Sequence, residues 1–414
     1  MCRPQTAVGA IQDEAIPNQF RSAKNTRRKE TMAYTFQTIS RIVYGHGAVV
    51  ELGKEVKRLG GNKVLLITDK GLVQHGIHQP VLEALEQAGI ATTVFSGVEL
   101  DPTPQSIVSC VEQLKEFGAD LLIGLGGGSA LDSTKAASLL ATHEGPLEKY
   151  FGMHLVPSPC MPTILIPTTA GTGSEMTSIS VLGDAASNSK KGIVSDYLYA
   201  KTVLLDPDLT ATLPPKYTAY TGLDAFVHAM ESYVNLSATP FTEGPDLQAM
   251  RMIADNIRKA YANGGNKEAR AQLLYASAIC GMGFSNTQNG VIHSIGMAVP
   301  ATYHLPHGLL MAAVGPMGIA FNCMAAPEKY ARVAEILGCN TTGMNVYEKA
   351  ECAVAGFERL LSDLNVQPGL AVYGVKREDI RGIAERAAAT QRLMENNPRK
   401  ATADDLEKLI EKYF

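Results

Sequence analysis

No apolar run in this chain approaches a membrane span. Stretches such as 64–67 and 121–125 stop within a few residues, whereas a spanning helix needs about 20. Neither sign of charge dominates: Lys and Arg number 37 against 41 Asp and Glu, a net charge of −4. That balance argues against nucleic acid or an anionic membrane as the main partner. Cysteines, at positions 2, 110, 160, 280, 323, 339 and 352, form no C-x-x-C pair and no regular framework. Such scatter argues against a disulfide scaffold and predicts reduced, mostly buried thiols in a cytoplasmic protein. Residues 1–31 lack the apolar core of a secretory signal. Their mostly basic charge, ending in RSAKNTRRKE, predicts a disordered extension ahead of Met32, and Asp13 and Glu14 argue against an organelle transit segment. Internal repeats, low-complexity tracts and a G-x-S-x-G nucleophile turn are absent as well.

What is present is an alternation. KVLLIT (63–68), ATTVFSGV (91–98), DLLIGLG (120–126), TILIPTT (163–169) and TVLLDP (202–207) are short apolar, β-rich runs. Between them, HQPVLEALEQAG, TPQSIVSCVEQLKEFGA and SALDSTKAASLLAT read as helices. Fully apolar strands separated by amphipathic helices predict a parallel sheet covered on both faces, a Rossmann-like α/β domain over 32–213. The tandem proline Pro214–Pro215 marks a boundary. Beyond it nearly every stretch has helical period, which predicts an all-α domain over 214–414.

GLGGGSALDSTK (124–135) follows one of these strands and opens a helix. Gly126, Gly127 and Gly128 let the backbone approach a ligand closely. Ser129 is placed to cap the helix, and Asp132 fits the spacing of a capping box. Free N–H groups at a helix start suit a pyrophosphate. The pattern departs from G-x-G-x-x-G at Ser129, and a ligand-free turn is the plain alternative. A second loop, PTTAGTGSEMTS (167–178), offers the hydroxyls of Thr168, Thr169, Thr172 and Ser174 after another apolar strand. Two such loops at the carboxyl ends of strands predict a bound dinucleotide. Asp69, at the end of KVLLIT, is suited to bind a ribose and to repel a 2′-phosphate, favouring NAD over NADP. A turn residue or helix cap is its ordinary alternative.

In TGLDAFVHAMESY, Asp224 and His228 sit at i and i+4 and share a helix face. His293 and His307 fall in NGVIHSIGMAVPATYHLPHG. An Asp-His-His-His set suits a borderline divalent ion such as Fe²⁺ or Zn²⁺. Taken singly, each has an ordinary reading as a surface or hydrogen-bonded side chain. In their order, GGGSALDSTK, IPTTAGTGSEMT, GLDAFVHAMESY and the H-x13-H segment ending LPHG make residues 34–414 resemble the group III, iron-containing alcohol dehydrogenases.

That resemblance implies a dehydroquinate synthase-like two-domain architecture with the active site in the cleft between the domains. It implies that Asp224, His228, His293 and His307 are the metal ligands. It also implies that residues 126–129, Thr168, Thr169 and Thr172 bind NAD and that Asp69 meets its ribose. Asp101, in DPTP, resembles a family loop of less defined role. One position departs from the pattern. Many members carry a proton-relaying histidine four residues after the third ligand, where this chain has Met297. His304 is the candidate substitute, with a rim position as its alternative.

The implied chemistry is reversible hydride transfer between NAD(H) and a small alcohol or aldehyde, with Fe²⁺ (or Zn²⁺) as Lewis acid, in a homodimer or larger assembly. Two other readings stay open. A short-chain hydroxyacid dehydrogenase (for 4-hydroxybutyrate, for instance) or a hydroxyacid–oxoacid transhydrogenase needs a cationic group for the substrate carboxylate, which spacing does not locate. A metal- and nucleotide-binding structural subunit without catalysis is the other.

Overall fold

The computed structural model describes residues 34–184 and 189–414; the extension predicted over 1–31, and Cys2, lie outside them. The described strands are β1 (Ile42–Tyr44), β2 (Lys63–Ile67), β3 (Ala91–Phe95), β4 (Leu121–Gly126), β5 (Gly152–Met153), β6 (Thr163–Pro167), β7 (Ile179–Asp184), β8 (Ser189–Val194) and β9 (Thr202–Leu205). Six of them form a wholly parallel sheet in the order β1-β9-β6-β4-β2-β3. Every residue of β4, β6 and β9 is buried. That explains why their sequences are continuously apolar instead of alternating.

Successive side chains of a strand feed opposite faces. Leu65, Ile67 and Leu122 pack with Ile107, Val111 and Leu139 on one side. Val64, Leu66, Leu121 and Ile123 pack with Leu52, Val56, Val81 and Leu85 on the other. Each such side chain, removed from water, contributes roughly 1.5–3 kcal/mol. Truncation of Leu66 to alanine therefore costs about 2–5 kcal/mol.

A smaller sheet, β5-β8-β7, contains the antiparallel β7–β8 pair. The sequence reading did not foresee it. Its strands, ISVLGD and SKKGIV, carry serine, glycine and lysine, residue types depleted in strands, so neither an apolar run nor a clear alternation announces them.

From Pro215 onward the described elements are helical, as expected: long helices Pro215–Val234, Pro240–Ala262, Lys267–Thr287 and His307–Asn322, with shorter ones around them. Pro215 sits at the first helical position, where its missing N–H is no loss. Topology changes at the tandem proline, but packing does not break there. The largest buried cluster runs from Leu165, Val203 and Leu205 of the sheet to Leu223, Phe226 and Leu274 of the helices, and Phe36–Phe414 is one compact unit. Among the described residues, no helix is long and apolar enough to cross a membrane.

Candidate metal centre and coenzyme cleft

Strands β4 and β6 are neighbours in register, with Gly126 opposite Pro167. The glycine turn and the threonine loop therefore leave the sheet side by side, at the carboxyl ends of parallel strands. Gly126 has φ +152°, and Gly128 begins the helix Gly128–Thr142. A Cβ on Gly128 would lie 2.9 Å from the Thr172 methyl, and one on Gly127 would lie 3.5 Å from the Thr169 side chain. At Gly128 a side chain would press on the loop, whereas at Gly127 it would make an ordinary contact. The result is a cradle of amides at a helix start.

Two polar residues of this region do not cap the helix as expected. The helix starts at Gly128 with Gly127 as its uncapped N-terminal residue, so Ser129 lies inside the helix and caps nothing. Its hydroxyl donates instead to the Leu100 carbonyl. Asp132 closes no capping box. It accepts hydrogen bonds from the Ser174 hydroxyl (2.5 Å) and the Val181 amide (3.1 Å) and pairs with Lys135 at 3.1 Å. Ser174 is buried and receives Lys135 Nζ at 2.7 Å. These groups rivet the threonine loop to the helix. Asp69 does cap a helix, with Oδ1 accepting from the Leu72 amide at 2.9 Å. Its Oδ2 faces the glycine turn, 3.8 Å from where a Cβ on Gly126 would sit.

The helix Pro215–Val234 places Asp224 and His228 one turn apart in the interior. Asp224 Oδ1 lies 3.9 Å from His228 Nδ1, 3.9 Å from His293 Nε2 and 3.6 Å from His307 Nε2. One donor atom from each of the four falls within 4.8 Å of every other. Among the described residues, Asp224 Oδ1, His228 Nδ1 and His293 Nε2 are buried without a hydrogen-bond partner. Orphaned polar atoms of this kind are expensive and rare. Three of them aimed at one point match a cation that would satisfy all at once, so the donor set fits a divalent metal.

Burial holds the imidazoles of His228 and His307 well below the ordinary histidine range, with His293 adding to the effect on both. They are neutral, and their lone pairs are free. Burial also pushes the Asp224 carboxyl up to about 7, against the pull of His293. His307 alone opens to solvent, with 34% of its side chain exposed against 3% for Asp224.

Three further residues build this centre, and the sequence reading did not single them out. Glu231, one turn beyond His228, accepts the amides of Gly290 (3.0 Å) and Ile292 (2.6 Å) and meets His293 Nδ1 at 2.6 Å. A carboxylate on one ring nitrogen fixes the tautomer and aims the other nitrogen at the centre. Its spacing after Asp224 and His228, on one helix face, was the available signal. Phe284 stacks on the His228 ring at 4.4 Å. Gly308 permits a close approach, because a Cβ there would stand 2.3 Å from the Tyr220 carbonyl. It is what brings His307 up to Asp224.

His304 is not gathered in. It ends the 3-10 turn Ala301–Tyr303 in left-handed backbone (φ +50°), exposed and outside the helix that begins at His307. The helical spacing that made it a relay candidate is absent. Met297 shares the short helix Val291–Ala298 with His293. Asp101 pairs with Lys190 at 2.6 Å on the surface. The amide cradle and the quartet adjoin, since a Cβ on Gly171 of the threonine loop would meet Thr221 backbone at 2.9 Å.

A strand-end amide cradle beside one carboxylate and three imidazoles is the layout of an oxidoreductase with a coenzyme cleft. Residues 40–207 match the model of the iron-containing alcohol dehydrogenases, and residues 218–414 match that of the Fe-containing alcohol dehydrogenase family, C-terminal. The chain is 52% identical to the sulfoacetaldehyde reductase of Bilophila wadsworthia, over 92% of this chain and 100% of that protein. The crystal structure of a 1,3-propanediol oxidoreductase superposes with a TM-score of 0.90 at 35% identity, covering 92% of this chain and 100% of that one. A sulfoacetaldehyde reductase from Bifidobacterium kashiwanohense, solved in complex with NAD⁺, superposes with a TM-score of 0.82 at 26% identity, covering 92% and 99%. The chain belongs to the iron-containing alcohol dehydrogenase family. It is an oxidoreductase of alcohols and aldehydes.

Proposed function

We propose that this chain interconverts a small aldehyde and its alcohol with NAD(H), with Fe²⁺ held by Asp224, His228, His293 and His307. Zn²⁺ is the other ion this donor set suits. The observation that carries the reading is the set of three buried, partnerless donor atoms meeting His307 beside the amide cradle. Held by these four side chains, a divalent ion would supply Lewis-acid polarisation of the substrate oxygen, and bound NAD(H) would supply or take up the hydride.

The chain's own residues do the rest. Glu231 keeps the His293 proton on Nδ1, so that Nε2 stays a donor to the centre. Phe284 covers one face of His228 and excludes water there. His307, the exposed member, marks the side from which substrate enters. The amides of Gly127 and Gly128, flanked by Thr168, Thr169 and Thr172, receive the pyrophosphate, and the free oxygen of Asp69 receives the ribose, favouring NAD over NADP. Met297 carries no proton and His304 lies outside the quartet, so the substrate proton would be exchanged with water. Residues 32–213 form the coenzyme-binding part and 214–414 the metal-binding part.

The six described cysteines are all unpaired, which supports a cytoplasmic protein. β1 lies at the edge of the large sheet, and no described strand pairs its outer side. An open edge of this kind supports assembly into a homodimer or larger. Sulfoacetaldehyde, for which the 52%-identical relative is named, is the aldehyde to try first. The test is NADH consumption by anaerobically purified, iron-loaded protein over a panel of sulfoacetaldehyde, propanal and 3-hydroxypropanal, with metal analysis of the same sample. Silence across the panel, with iron bound, overturns the reading.

A further inference from the structure

Most arginines of this protein have obvious occupations. Arg41 pairs with Glu55, Arg258 with Asp363, Arg377 with Glu411 and Arg381 with Asp404. Arg270 has no carboxylate but donates to the carbonyls of Gly264 and Leu213. Arg392 has neither arrangement. It is partly buried on the short helix Gln391–Met394, and its Nη1 donates to the amide oxygen of Gln288. Among the described residues, that neutral group is its hydrogen-bond partner and no carboxylate lies within ion-pair reach. A guanidinium has five N–H donors, and a cation removed from water without a counter-charge is costly. Burial lowers its pKa, with no carboxylate opposing the shift.

The position of Gln288 places this cation at the cleft. Gln288 follows the helix Lys267–Thr287, and its amide bonds the carbonyl of Phe284, the residue stacked on His228. Two residues later Gly290 donates to Glu231, which holds His293. The backbone of Gln288 has φ +69° and ψ 176°, a conformation nearly reserved for glycine that persists only where its surroundings enforce it. Asn235 Nδ2 (3.3 Å) and the Thr287 hydroxyl (3.0 Å) both donate to its carbonyl. The strained residue thus turns an amide to Arg392 from the wall of the quartet. The helix Gln391–Met394 itself packs on Val291–Ala298, which carries His293. The cation whose charge is felt at His307 is Lys190, and it is already paired with Asp101 at 2.6 Å on the surface.

We propose that Arg392, positioned by Gln288, is the specificity-determining cation of this cleft and binds an anionic tail, sulfonate or carboxylate, on a short aldehyde. The inference rests on the alcohol–aldehyde reading above and names its substrate class. A planar guanidinium with free N–H groups receives either oxyanion in a forked geometry. The reaction is unchanged in its balance: the tailed aldehyde, NADH and one proton give the tailed primary alcohol and NAD⁺. The tail takes no part in bond making. It holds the carbonyl at the quartet.

The test compares wild type, Arg392→Met and Arg392→Lys as full-length, iron-loaded protein on sulfoacetaldehyde, succinate semialdehyde and propanal. Wild type is expected to prefer a charged aldehyde over propanal, and the stronger of the two preferences identifies sulfonate or carboxylate. Arg392→Met is expected to lower kcat/KM for that aldehyde about 100-fold, mainly through KM, and to leave propanal within about threefold. Arg392→Lys is expected to recover part of the loss. Calorimetry with ethanesulfonate and propionate on NADH-loaded protein gives a readout free of turnover: the matching anion binds wild type and binds Arg392→Met at least about tenfold more weakly. Equal loss on propanal, or a wild type that neither prefers a charged aldehyde nor binds either anion, overturns the proposal and leaves the oxidoreductase reading intact. No turnover of any aldehyde overturns that reading, while anion binding that disappears in Arg392→Met still supports the cation site.

Discussion

The α/β part of the cleft and its helical part solve the problem of holding a ligand by opposite means. At the ends of β4 and β6 the chain presents backbone, and what matters is the absence of a side chain at Gly128. On the helices it presents side chains, and what matters is that Asp224 Oδ1, His228 Nδ1 and His293 Nε2 are left without a hydrogen-bond partner. An amide cradle tolerates an empty state, because water serves its N–H groups. A buried quartet does not, because its lone pairs face no solvent. The lesson is that one half of the site is shaped by local chain geometry and the other by the packing of distant helices.

Substitutions that strike one half and spare the other test the contrast. The largest effect is expected from His307→Ala, which removes one donor from the quartet: metal content falls and kcat/KM drops by about 10³-fold or more, while NADH still binds, as metal analysis and fluorescence titration on one sample will show. Glu231→Gln leaves all four donors in place but loosens the aim of His293, and a metal-competition titration should find affinity lowered about 10- to 100-fold. Gly128→Val attacks the other half. Its Cβ must displace Thr172, so the NADH dissociation constant is expected to rise roughly tenfold, the equivalent of one good hydrogen bond, with metal content unchanged. Metal loss in that variant would show that the halves are not separable.

The smallest expected effect lies far from the cleft. Hydrogen bonds from Arg41, and from Arg58, hold the Glu55 carboxyl at about 2 against the opposing effect of burial. This depressed value stabilises the fold above the unfolded carboxylate range, near 4.3, and the contribution is lost as pH falls towards 2. Glu55→Gln is therefore expected to cost about 1–2 kcal/mol at neutral pH, a figure discounted because both arginines are nearly half exposed. In urea melts the gap from wild type should close as the pH approaches 2; a constant gap would assign the effect to packing.

The parallel sheet was legible because β2, β4, β6 and β9 are buried on both faces, and that burial writes itself into continuous apolar runs. The β7–β8 pair was not, since its residues lack either periodicity. The shared helix face of Asp224 and His228 could be read from their spacing and their place in a metal set from the resemblance, whereas Glu231 looked like one more helix carboxylate until His293 was seen against it. The capping box of Ser129 and Asp132 failed for a local reason. The helix starts at Gly128, and Asp132 has a stronger claim from Ser174 and Lys135. His304 failed because its turn ends in left-handed backbone, not in helix.

From its residues alone the chain determined which segments are strands and helices, where alternation gives way to helix, and that glycine follows β4 where a side chain cannot fit. These are short-range matters, decided by periodicity and backbone freedom. Only the tertiary structure decided that two loops distant in the chain lie side by side, that Glu231 faces His293, and that Arg392 meets Gln288 with no carboxylate beside it. Such pairings join residues far apart in the chain, and no local propensity specifies them. They follow from which helix faces bury together and which polar atoms that burial leaves to find a partner.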